Sequence, residues 1–312
     1  MHSIVIAANA VLSVAFMMLL GALLKNRNII REASFKDFNW VVFHICLPVT
    51  LFNNIQGMDP AMLSDPGIVL FAFAAVVAAA VVSMLLMSRV SISDRQRGVV
   101  VQAIFRSNFV ILGLPIIESI YGPGNTGSVP LLIAFVVPTF NILSVLILQH
   151  YSDIKGDLRR TVKGLLTNPL ILAAIIGLAY KFSGIRTPEI LTGILNQVVR
   201  MTTPLSLLVL GGSFQLVSVR SNAKLLFITT AGRLVIVPLI ALSAAIALGY
   251  SGVDLAGLLV LFGGPVAIAS FSMAMQMGLD DELAAQCVMI TTIGVIFTMF
   301  CWITVLSSLG FV

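Results

Sequence analysis

The chain has 312 residues, of which 59% are hydrophobic and only 10% charged, against the quarter or so expected of a soluble domain. Its mean hydropathy of +1.07 excludes a water-soluble fold and points to an integral membrane protein built from spanning helices. The net charge of +5 is carried by loop lysines and arginines, so it reports orientation in a bilayer and is no sign of nucleic-acid binding.

In chain order, apolar runs long enough to span occur at about 3–24, 37–56, 67–88, 99–121 and 128–149, then at 164–180, 193–217, 223–248, 255–277 and 283–309. The first has its basic residues, Lys25 and Arg27, after the apolar run, the reverse of a signal peptide; it reads as a first spanning helix that starts outside. The second carries His44 four residues before Pro48, and the seventh carries Arg200 four residues before Pro204. The fourth, "FRSNFVILGLPIIESIYG", holds Arg106, Ser107, Asn108 and Glu118 together with the breaker Gly113-Leu114-Pro115. The eighth holds Arg233, and the ninth is interrupted by Gly264-Pro265. The tenth opens on Asp280-Asp281-Glu282, which reads as an acidic helix cap rather than a metal cluster. Cys46, Cys287 and Cys301 lie in apolar runs and read as buried small hydrophobes; the histidines are too scattered for a metal site.

Ten spans place thirteen of the eighteen Lys and Arg residues in odd-numbered loops, and only Lys181 and Arg186 in the opposite ones. The positive-inside rule then predicts a multi-pass protein of the cell (inner or plasma) membrane with both termini outside the cytoplasm. Ten spans also divide into two fives. An offset of 156 relates Pro48 to Pro204, Lys25 to Lys181, Phe71 to Phe227 and Gly122 to Gly278. It carries Asn108 to Gly264 and Phe109 to Pro265, so two interrupted spans fall at matching places. The predicted fold is all-α: ten transmembrane helices as two inverted five-helix repeats, 1–156 and 157–312, with helices 4 and 9 broken. Broken helices at matching places are the best sequence pointer to a transport site.

Asn108, Gly113-Leu114-Pro115 and Tyr121-Gly122, with Gly264-Pro265 and "MGLDDELAAQCVMITT" at 277–292, resemble the auxin efflux carrier family, in the compact bacterial form similar to malate or malonate permeases. The resemblance extends to the fold of bile acid:sodium symporters. It implies a scaffold of helices 1, 2, 6 and 7 and a transport domain of helices 3–5 and 8–10. Helices 4 and 9 would cross at their breaks. A small organic anion would bind at the crossing and be carried by an elevator-type motion.

The candidate substrate-binding residues are Asn108, Ser107, Gly113, Pro115, Gly264, Pro265, Arg106, Arg233 and His44. Broken helices expose backbone amides that favour an anion, and Asn108 adds a donor without a fixed charge. Arg106 and Arg233 lie deep in the span; they either attract the anion, or snorkel, or pair with the carbonyl ends of the broken helices. Glu118 is read as a wetted rim residue or a protonatable coupling group; Asn141, Gln102 and Gln276 are polar glue between helices. No Walker A or HExxH motif and no activated nucleophile occurs, so neither ATP-driven transport nor enzymatic catalysis is expected, and no cofactor. Proton coupling, sodium-coupled symport and uniport all stay open, as do a ligand-sensing receptor on a transporter fold and a homodimer.

Overall fold

A computed structural model describes residues 16–56, 66–109, 116–118, 120–122, 125–152, 167–185, 187–213 and 219–312. They form helices and no β-strand. In chain order the helices are α1 (Phe16–Asn26), α2 (Glu32–Gln56), α3 (Pro66–Ser88), α4 (Asp94–Phe105), α5 (Val129–Tyr151), α6 (Pro169–Phe182), α7 (Glu189–Ser213), α8 (Ala223–Ala247), α9 (Gly252–Gly263), α10 (Ile268–Gln276) and α11 (Asp281–Ser308). Six of these, α2, α3, α5, α7, α8 and α11, are long and apolar enough to cross a membrane.

Local chemistry sets several helix starts. Ser93 caps α4 by accepting from the Gln96 amide, and Asn168 caps α6 by accepting from Leu170, with Pro169 at the first helical position. Asp280 accepts from the Leu283 amide and caps α11, with Asp281 and Glu282 in its first turn, as the acidic-cap reading expects. Hydroxyls inside apolar helices bond backwards to the preceding turn: Ser83 to Ala80, Thr139 to Phe135 and Thr298 to Gly294. Two spans contain a π-helical turn, Val42–Cys46 in α2 and Gly232–Ile236 in α8. Such turns shift the helical phase and are frequent at functional places.

Helices α1, α2, α6 and α7 pack through small residues. Gly21 of α1 lies against the Leu208 backbone of α7, and Gly211 of α7 against the Met18 backbone of α1, with no room for a Cβ at either. Gly177 of α6 lies against Ile55 of α2. Close backbone approach of this kind is how helices associate where lipid removes the hydrophobic drive. At the crossing of α2 and α7, Thr50 donates to the Cys46 carbonyl (2.8 Å) and Ser206 donates to the Thr202 carbonyl (2.7 Å). The Thr202 hydroxyl stands 3.4 Å from the Cys46 carbonyl oxygen, two positions separated by 156 residues.

Helices α4 and α9 are each twelve residues long and each gives way to extended backbone. Arg106 has φ −91° and ψ 114°, Gly264 φ −68° and ψ 159°. The two extended segments run antiparallel and pair: a single bridge joins Ser107 to Val266, the Asn108 amide donates to the Pro265 carbonyl (2.8 Å), and the Ala267 amide donates to the Arg106 carbonyl (3.4 Å). The backbone groups released by the interruptions are thus partly satisfied by each other. The second interruption falls where Gly264-Pro265 places it. The first lies at Arg106–Asn108, seven residues before the Gly-Leu-Pro, which is outside the described residues. Helix α4 begins at Asp94 and α9 at Gly252, a displacement of 158 rather than 156.

Candidate functional site

The pairing of 106–108 with 265–267 brings the sequence-predicted residues Arg106, Ser107, Asn108, Gly264 and Pro265 into one place. Gly264 is required there for space: a Cβ would meet Ser107 Oγ at 2.6 Å and the Val260 carbonyl oxygen at 2.7 Å. The Ser107 hydroxyl is 95% buried, with 5% exposure, and makes no hydrogen bond to a described residue. The Asn108 side chain is half-buried and has no hydrogen bond to a described residue, while its backbone amide is engaged at the crossing. Beyond the crossing, α10 begins with no side-chain cap, and Ser270 in its first turn carries a second buried, unpartnered hydroxyl. Thr291 of α11 accepts from the Val266 amide (3.0 Å), holding the extended segment from behind. The crossing therefore offers unspent donors beside the positive end of a helix, an arrangement that favours an anion.

The two buried arginines stand on opposite terms with this crossing. Arg233 is 0% exposed and sits on the π-helical turn of α8. Its Nε donates to Gly264 O (2.8 Å), one terminal nitrogen to Leu261 O (2.8 Å), and the other to Ile104 O and Phe105 O (both 3.1 Å). These carbonyls close α4 and α9, where intrahelical partners run out and the helix dipoles are negative. One guanidinium thus joins both helix ends, which is the carbonyl-pairing alternative raised from the sequence.

Arg106 is 4% exposed, and its side chain reaches away from the crossing, between α5 and α10. It donates to Asn141 Oδ1 (2.7 Å) and to the Met273 sulfur (2.6 Å), while Gln102 approaches the same sulfur at 3.8 Å. Both acceptors are neutral and one is a weak thioether. Among the described residues no carboxylate pairs with it; the ion pairs found there are Lys25–Glu32 and Arg97–Asp94. A buried charge held only by neutral groups is costly, so its environment attracts negative charge.

Other expected residues lie apart. His44 is stacked on Trp40 at 4.5 Å, with Nδ1 3.1 Å from the Trp40 carbonyl oxygen. Arg200 is exposed on α7 and Glu118 is exposed. Gly113 and Pro115 lie outside the described residues. Asn141 and Gln102 act as interhelical polar contacts, as expected. One residue escaped the sequence reading. Asn39 of α2 is 1% exposed, donates to the Ser272 carbonyl of α10 (3.2 Å), and leaves its own Oδ1 unpartnered. A buried asparagine facing another helix is marked in sequence only by its place inside an apolar run.

A family model described as "Membrane transport protein" matches residues 6–303. An uncharacterized transporter of Methanothermobacter thermautotrophicus is 24% identical over 303 residues, covering 96% of this chain and 98% of that protein.

Proposed function

The chain belongs to the membrane transport protein family, the auxin efflux carrier-like family, and from that premise we propose that it is a carrier of small organic anions, of the malate, malonate or auxin-like weak-acid class, working by elevator-type alternating access. The observation that carries this reading is the paired crossing of 106–108 with 265–267, which leaves the buried Ser107 hydroxyl unspent and sets the half-buried Asn108 beside it, near the start of α10. A carboxylate placed there receives hydrogen bonds from Asn108, Ser107 and the first-turn amides of α10. None of these is a fixed charge, so release stays feasible. Arg106 biases the surrounding potential toward anions; Arg233 holds the frame.

The proposed architecture is ten spans in two inverted repeats, 1–156 and 157–312. Contacts related by 156 support it. Gly21 and Gly177 are equivalent and each packs against a partner helix, α7 and α2 respectively. Thr50 and Ser206 are equivalent and make the same backward bond, while equivalent Cys46 and Thr202 touch each other. The glycine-packed group α1, α2, α6 and α7 forms the scaffold in this proposal. The remaining helices form the moving domain, in a cell membrane with both termini outside the cytoplasm.

The test is counterflow of labelled malonate, malate and indole-3-acetate in liposomes holding the purified chain, with and without sodium. Saturable anion counterflow that falls at least tenfold in Asn108→Ala, with the thermal midpoint retained, is expected. Counterflow only of cations or neutral solutes, or ligand-induced stabilisation with no flux, overturns the carrier reading. A strict sodium requirement replaces uniport or proton coupling with sodium symport.

A further inference from the structure

We propose that the groove between α3 and α8 is a binding site for an anionic phospholipid, with an acyl chain along the groove and the head group at Arg89 and Lys224. The groove encloses about 480 Å³. Its α3 wall is hollowed by alanines, including Ala74, Ala75, Ala78 and Ala79, and its α8 wall includes Gly232 and Ala244. Protein interiors seldom leave such a void open. This one runs between two helices long and apolar enough to cross a membrane, so hydrocarbon is what reaches it.

The register of both helices carries the argument. On α3 the lining positions recur every three or four residues from Phe71 to Met87, about 24 Å at about 1.5 Å per residue. Arg89 follows directly on the end of α3 at Ser88, in the turn three positions beyond the lining residue Leu86. On α8 the lining includes 228, 232, 236, 240 and 244, and one turn before Ile228 the same face begins with Lys224. Both cations are exposed; Phe71 near the start of α3 meets Tyr250 just past the end of α8 (ring centroids 5.8 Å), so the two helices run antiparallel and Arg89 and Lys224 lie toward the same end of the groove. A groove longer than the roughly 15 Å of one leaflet's hydrocarbon, closed at one end by two cations, matches an acyl chain under a phosphate.

The lining itself excludes a soluble ligand. Its one polar residue is Ser83, and that hydroxyl is spent on the Ala80 carbonyl. Nothing there would orient a polar metabolite, which needs a few placed polar groups. The floor also ties the groove to the crossing: a Cβ at Gly232 would stand 3.3 Å from Ile104, whose carbonyl Arg233 holds. An acyl chain would therefore pack one residue away from the clamp.

Native mass spectrometry of the purified chain, with phosphatidylglycerol and phosphatidylcholine titrated in turn, tests this. The expected result is one retained phosphatidylglycerol, preferred about tenfold over phosphatidylcholine. Ala78→Phe, which fills the groove, is expected to abolish retention, while Leu70→Phe on the exposed face of α3 outside the lining leaves it unchanged. Arg89→Gln with Lys224→Gln is expected to remove the head-group preference but not the binding. Independently of any variant, a phosphatidylglycerol with a photoreactive acyl chain is expected to label peptides spanning 74–87 and 228–244. No retained lipid, equal retention in Ala78→Phe, no head-group preference in the unmodified chain, or labelling spread evenly over exposed faces such as that of α6 would each overturn the proposal.

Discussion

Arg233 and Arg106 are both buried cations within reach of the same interrupted helices, and their surroundings differ in kind. Arg233 meets four carbonyl oxygens that would otherwise end two helices unpaired. Arg106 meets an amide oxygen and a thioether, and no described carboxylate. Depth in an apolar run gives both residues the same cost. The inventory of acceptors separates them: a cation whose donors converge on helix ends belongs to the frame, while one left on weak neutral acceptors keeps attraction to spare.

The largest effect that would break this contrast comes from Arg233. Arg233→Met strands the carbonyl ends of α4 and α9, and a loss of about 3–5 kcal/mol is expected, read as a fall in the thermal midpoint in detergent and in folded yield. Arg233→Lys is expected to rescue little, because an ammonium group cannot fork to carbonyls on two helices. An Arg233→Met protein as stable as the unmodified chain would remove the frame role.

Gly264→Ala presses on both regions at once, since its Cβ would collide with Ser107 Oγ and the Val260 carbonyl. A destabilisation of about 1–3 kcal/mol is expected in the same unfolding measurement, with transport reduced as Ser107 is displaced. Unchanged stability and flux would show that the crossing has slack.

Arg106→Gln sharpens the contrast from the other side. Transport efficiency for the anion is expected to fall about tenfold, equivalent to about 1.4 kcal/mol, with a midpoint close to that of the unmodified chain. A stability loss matching that of Arg233→Met, with unchanged flux in the surviving protein, would make the two arginines equivalent. The smallest effect is expected of Asn39→Leu. It trades one hydrogen bond to α10 and one stranded oxygen for an apolar contact, so stability should change by less than about 1 kcal/mol, measured by the same unfolding midpoint.

Much of the frame was legible in the sequence because its causes are local. Asp280 caps α11 within three residues, and Gly264-Pro265 interrupts its helix where it stands. The matching interruption is different. Arg106-Ser107-Asn108 contains no glycine or proline, and it is extended because a segment near residue 266 pairs with it. The Gly113-Leu114-Pro115 motif that singled out this span lies outside the described residues, and nothing in residues 106–108 themselves signals the interruption found there. The role of Arg233 was equally hidden, since two of its acceptors lie 128 and 129 positions away in the chain. Asn108 could be singled out because a polar side chain in an apolar run stands out without knowledge of its neighbours. That its side chain has no described partner emerges only when both halves of the chain are brought together.

The joint between α4 and α9 has a mechanical consequence. Two backbone bonds cross it directly, and Arg233 of α8 bridges it from the side with two guanidinium bonds to each helix end, at groups buried from water. Sliding one fragment past the other would break both backbone bonds and pull Arg233 off at least one of the two helix ends. The joint is a rivet and not a hinge: any working stroke must carry both fragments as one body, and the deformation has to be taken up at the boundaries with neighbouring helices.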